Sequence, residues 1–165
     1  MENENKELHI AVVNQMKEMA TDSYNKFYRA YETLNDNKEK SKEIFLSIIN
    51  SNDLLISSLD FYNDTFFGLN RSEDYLYIGQ ILSLQVKASH NLMVIAQSEL
   101  LDEEIDKWNQ RKNKYKIELY FYYLLAQNME KIGDIILAFV KDAGIDETSK
   151  QEANKKYQSY ITKHQ

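Results

Sequence analysis

The sequence has no cysteine, no proline and only four glycines in 165 residues. Without cysteine there are no disulfides, no thiolate metal site and no cysteine nucleophile, which fits a reducing compartment. Strands and loops turn with proline and glycine, so a chain nearly devoid of both makes few turns and long elements. No run approaches the roughly 18 apolar residues of a membrane-spanning helix. The first residues, Met1 to Lys6, are polar and acidic, unlike a signal peptide. These absences predict a soluble, cytoplasmic chain. Its 43% hydrophobic content is too high for disorder. Its length suits one domain over residues 1–165, able to bury roughly 70% of its unfolded surface.

An excess of positive charge is also missing. The net charge of -6 opposes broad binding to nucleic acid or to an anionic membrane, since both reward a positive field. The acidity is concentrated: residues 51–105 carry two basic and nine acidic groups, whereas residues 106–165 carry eleven and eight.

Helical periodicity is abundant. A first segment, from about Glu4 to Leu34, repeats Leu8, Val12, Met16, Met19, Phe27 and Tyr31 on one stripe. Asn35, Asp36 and Asn37 then supply capping and turn side chains. A second segment spans about Lys38 to Phe67 with Phe45, Ile48, Leu55, Leu59, Tyr62 and Phe66 inward. Gly68 and the Asn70–Glu73 capping box predict the next turn. A third segment, about Arg71 to Leu100, has an apolar face about half its circumference wide, through residues such as Ile78, Ile81, Leu82, Leu84 and Leu92. Such a helix touches more than one neighbour.

Asp102, ahead of Glu103 and Glu104, marks the N-cap of a fourth segment that runs to about Ala143. Its seam of Ile105, Trp108, Lys112, Tyr115, Leu119 and Tyr122 continues through Ala126, Met129, Gly133, Ile136 and Val140 at alternating intervals of three and four. Gly144 ends that helix, and Thr148 with Gln151 suits the cap of a short last helix bearing Tyr157, Tyr160 and Ile161. Long helices with short connections predict an all-α, antiparallel up-down-up-down bundle of four long helices plus a short C-terminal helix.

Signals for chemistry are sparse. His9 and His164 lie near the chain ends and read as ordinary surface residues. His90 falls on the polar flank of the third segment with Ser83, Lys87 and Gln97. The string Ala88, Ser89, His90, Asn91, Leu92 loosely resembles the histidine box of phosphotransfer proteins and of sensor-kinase dimerisation domains, which implies His90 as a phosphoacceptor. It departs from that box in having Asn91 for the acidic neighbour and no following proline, and no kinase domain is present. No histidine is preceded three residues earlier by glutamate, so the metal-binding pattern of helical bundles is missing and neither a metal nor another cofactor is expected. Ser89 and His90 are adjacent on a helix and point about 100° apart, a poor arrangement for nucleophile and base.

Two features suggest surfaces. Lys107, Arg111 and Lys114 stack at helical spacing beside Trp108 and Tyr115, with Lys112 and Lys116 nearby. This basic-aromatic stripe suits an acidic protein surface or an anionic ligand such as nucleic acid, or it is simply the outer face of an amphipathic helix. Tyr120, Phe121, Tyr122, Tyr123, Leu124 and Leu125 are aromatic or apolar all round the helix. Such a belt requires a cover, either the terminal helix or a partner.

The sequence therefore predicts a non-enzymatic interaction protein, a small regulatory or accessory bundle working through helices three and four. Its interaction residues are Trp108, Tyr115, Tyr120, Tyr122 and Tyr123, and its partner is a protein or a second copy. Binding of nucleic acid or another anion by Lys107, Arg111, Lys112, Lys114 and Lys116 is the alternative, and phosphotransfer at His90 the third reading. Abundant Asn, Lys, Ile and Tyr fit an AT-rich bacterial or mobile-element setting.

Overall fold

The computed structural model describes the backbone of residues 2–65 and 72–163 and the side chains of 6–58 and 74–163. Among the described residues there are six helices and no strand: α1 (Glu2–Thr33), α2 (Lys38–Thr65), α3 (Ser72–Ser98), α4 (Asp102–Ala126), α5 (Glu130–Ala143) and α6 (Glu147–Lys163). Gly68, the Asn70–Glu73 capping box, His164 and the side chains of Leu59, Tyr62 and Phe66 lie outside the described residues.

The expected long fourth helix is two helices. Its seam is buried at Trp108, Tyr115, Leu119 and Tyr122 in α4 and at Gly133, Ile136 and Val140 in α5, but the helix stops at Ala126 and restarts at Glu130. Gly133 is the physical reason such close re-entry is tolerated. A Cβ there would stand 2.8 Å from the Ala126 carbonyl oxygen and 3.2 Å from that of Gln127. Gly79 performs a related task on α3, where a Cβ would meet Ile136 Cγ1 at 3.3 Å, so α5 also packs closely on α3.

The other turns follow local chemistry. Asn37 Oδ1 accepts the Lys40 N–H at 3.0 Å and caps α2. Between α3 and α4, Leu101 N–H donates to Ala96 O at 3.0 Å and Leu100 N–H to Gln97 O at 3.2 Å, the paired bonds of a Schellman turn. Leu100 occupies its left-handed position, with φ 57°. Asp102 opens α4 without capping it: Leu101 is the N-cap and makes no side-chain bond. Gly144 closes α5 with φ 61°. Asp146, in place of Thr148, caps α6, its carboxylate accepting the Ser149 N–H at 3.2 Å and the Ser149 hydroxyl at 2.8 Å.

Helix α3 is central, packed against α1, α2, α4 and α5. Ile81 through Val86 are buried without a break, which on a helix covers the whole circumference. Its buried Gln85 is paired across helices. Gln85 Nε2 donates to Ile49 O at 3.2 Å, and Asn52 Nδ2 donates to Gln85 Oε1 at 3.2 Å and to Ser23 Oγ at 2.8 Å. A buried polar group left unpaired costs about 1–3 kcal/mol, so this layer favours the one register of α1, α2 and α3 in which the partners meet.

Candidate anion-binding site

A cleft of about 340 Å³ opens where α1, α3, α4 and α5 approach one another. Helix α3 contributes Val86, Lys87, His90 and Asn91, which share one face by helical spacing, and α4 contributes Lys112 and Lys116 at i, i+4. Phe27 of α1 and Asp142 and Ala143 of α5 complete the lining. Because the chain re-enters sharply at Gly133, the end of α5 lies over α3 here, and Lys87 Nζ reaches Asp142 Oδ2 at 2.7 Å. Lys116 Nζ donates to the Gly144 carbonyl oxygen at 3.2 Å. Asn91 Nδ2 is turned to its own helix, donating to Lys87 O at 2.8 Å.

Three ammonium groups thus share the cleft lining with one carboxylate, and Lys116 also acts on Asp146, whose pKa is lowered by the bonds from Ser149 first and by that charge after them. Their mutual effect registers on the titrating groups. Partial burial, then the positive charge of Lys112 and Lys116, pulls the His90 pKa below its usual 6.5. Partial burial and Lys116 likewise pull Lys112 below the ordinary lysine value. The Coulombic part of both shifts is repulsion among the cations, and an incoming anion opposes that part.

The five cations of the basic stripe separate in the fold. Lys112 and Lys116 enter the cleft with His90. Lys107 and Arg111 gather around Trp108, at 4.7 and 5.7 Å from its ring, and Arg111 pairs with Asp53 of α2 at 2.9 Å. Lys114 is exposed. The aromatic belt is covered from within. Trp108, Tyr115 and Tyr122 are buried, so their rings face the chain's own helices. Phe121 meets Tyr160 of α6 at 5.7 Å, and Tyr122 lies 6.2 Å from Tyr75 of α3. Half-buried Tyr120 and Tyr123 pack on each other at 5.5 Å, and Lys150 of α6 stands 5.8 Å over the Tyr120 ring. Tyr115 donates to Asp53 Oδ1 at 2.5 Å, and burial together with that carboxylate pushes its hydroxyl pKa upward, so it remains a hydrogen-bond donor.

The structure also corrects the reading of His9. It is 4% exposed, with Nε2 3.2 Å from Asp74 Oδ2 on α3. The inward stripe of α1 runs through His9, Met16, Ala20, Ser23 and Ala30, whereas Leu8 and Tyr31 are exposed. The signal was the spacing of these small and polar residues, which keeps helical period although its members are not all apolar. Asp142 carried no such signal, because its place in the cleft depends on the break after Ala126.

No match emerges when the chain is compared with protein-family models, curated proteins or solved structures. The chemistry must be read from the site. Among the described residues no group of three His, Cys, Asp or Glu is placed to hold a metal ion, and no helix is long and apolar enough to cross a membrane. Ser89 is fully buried while His90 is exposed, so the two do not form a nucleophile–base pair. The cleft has the means to attract and hold a negatively charged group.

Proposed function

We propose that the protein is a non-enzymatic interaction module that captures an anionic group in the cleft of Lys87, His90, Lys112 and Lys116. One observation carries this reading: a chain of net charge -6 brings three lysines from two helices to one cleft whose lining holds a single carboxylate, Asp142. Gathering like charges is unfavourable unless something opposes them, and a bound anion does so. The separation of the stripe favours a compact anion over a polynucleotide, which needs a continuous basic track. The module is read as a cytoplasmic, single-domain protein whose first four helices run up, down, up and down. The short 34–37 and 99–101 connections and the packing of α1 on α2, α2 on α3 and α3 on α4 support that arrangement.

Inorganic phosphate is the simplest probe. Titration followed by amide and side-chain NMR is expected to move the signals of Lys87, His90, Lys112 and Lys116 together, with one dissociation constant. Lys112→Gln is expected to weaken binding about tenfold, the scale of one charge-assisted hydrogen bond, with an unchanged circular dichroism spectrum. Shifts spread evenly over the exposed lysines would contradict the reading.

A second reading rests on the state of His90. The imidazole is exposed, its pKa is lowered by partial burial and then by Lys112 and Lys116, its neutral form is a nucleophile, and the lysines beside it would balance the charge of a phosphoryl group on its ring nitrogen. Incubation with phosphoramidate should then leave an acid-labile phosphate on His90, with ammonia released. Its absence by mass spectrometry at neutral pH removes this reading.

A further inference from the structure

The cationic cleft does not end at its lysines. A second hollow, of about 110 Å³, adjoins it and shares Phe27 and Lys87 with it. Its lining changes character, with Tyr24 and Tyr28 of α1, Leu84 of α3 and Phe139 of α5. Tyr24 and Tyr28 are 45% and 49% exposed, and among the described residues every other tyrosine, phenylalanine or tryptophan ring except Tyr31 is less exposed. They stand one helical turn apart with centroids 4.8 Å from each other, edge to face. Their partly exposed rings border the aromatic hollow, and Lys87 stands where it meets the cationic cleft.

We propose that the two hollows form one composite site for a small anion with a flat aromatic part, of the nucleoside monophosphate class. The phosphate would sit among Lys87, His90, Lys112 and Lys116, and the base against Tyr24 and Tyr28 beside Phe27. This rests on the anion-binding reading above and adds to it the identity of the rest of the ligand. Site and ligand are complementary in two parts. A dianionic phosphate matches the surplus of ammonium groups, and a planar base matches tyrosine rings that offer rigid aromatic area and a polar tip. Base stacking on aromatic side chains tolerates many bases, so the site selects the class and not one nucleobase. The confined volume and the negative charge of the rest of the chain favour a mononucleotide over a longer strand.

Calorimetry with adenosine monophosphate, adenosine and inorganic phosphate tests the proposal on the full chain. Adenosine monophosphate is expected to bind about tenfold or more tightly than phosphate, the scale of one base stacked on an aromatic ring. Adenosine should be weaker than the monophosphate by a similar factor. The pair Tyr24→Ala and Tyr28→Ala should bring the monophosphate down to the affinity of phosphate while leaving phosphate itself unchanged. Tyr24→Phe and Tyr28→Phe should retain the gain, because the ring and not the hydroxyl supplies it. If phosphate binds at the lysines and the monophosphate binds no better, the composite site is overturned while the anion site stands. If neither ligand binds, both readings fall together.

Discussion

His90 shows how position on one helix sets the behaviour of one side chain. Its pKa lies below 6.5 because of partial burial, with the Lys112 and Lys116 charges adding to the effect. In the unfolded chain those causes vanish. As pH falls through 6.5 the unfolded chain takes up a proton that the folded chain refuses, so His90 lowers folding stability progressively until the folded pKa is also passed. Binding has the opposite dependence: once His90 protonates, the cleft gains a fourth cation and holds an anion more firmly. Sulfate, which does not titrate in this range, isolates the effect. Its affinity is expected to rise on acidification through the His90 titration, and His90→Gln should flatten that rise while the fold is kept. A rise that persists in His90→Gln would place the responsible group elsewhere.

At the scale of the helix, the turn after α3 offers a clean stability test. Leu100 is 85% exposed and holds a left-handed φ of 57°. The Cβ clash of that conformation costs about 1–2 kcal/mol in a non-glycine residue, and little burial is lost on replacement. Leu100→Gly is therefore expected to stabilise the protein by about 1 kcal/mol in urea unfolding with an unchanged m-value; lowered stability would show that Leu100 makes a contact that outweighs its backbone cost. This turn also marks the limit of what the sequence discloses about elements. The α1–α2 turn was legible in Asn37, and the end of α5 in Gly144, because both carry residues specialised for those backbone states. Leu100 carries no such signal, since hydrogen bonds to Ala96 and Gln97 hold a generic residue in a glycine-like conformation. Asp146 and Thr148 are both capping types two residues apart, and Ser149 decides for Asp146 by donating to its carboxylate. Within the candidate site, Lys112, Lys116 and His90 were visible as separate features, but their meeting depends on how α3 packs along α4. The part of Phe27 and Asp142 depends on α1 and α5 arriving there as well.

For the whole molecule, the break between α4 and α5 links packing to the cleft. A continuous helix from Asp102 would project beyond its neighbours; the break instead places α5 against both α4 and α3 and brings Asp142 to Lys87. Gly133 is the residue on which this depends. In an ordinary helix interior, glycine to alanine stabilises by about 1 kcal/mol through propensity alone. At Gly133 the new Cβ would stand 2.8 Å from the Ala126 carbonyl, a backbone atom that cannot rotate aside, so α5 must shift or lift. Overpacking of this kind costs about 1–3 kcal/mol, more than the propensity gain. Gly133→Ala is accordingly expected to lower the melting temperature by several degrees, at about 2–4 °C for each kcal/mol in a chain of this size, and to lengthen the Lys87–Asp142 ion pair as α5 moves. Gly79→Ala is the internal comparison. Its Cβ would meet the Ile136 and Phe139 side chains at 3.3 and 3.5 Å, groups that can yield by small rotations, so a smaller loss is expected. If Gly133→Ala instead melted higher than the parent, by the amount helix propensity alone supplies, the close re-entry of α5 would not be the structure the protein adopts, and the cleft built upon it would lose its basis.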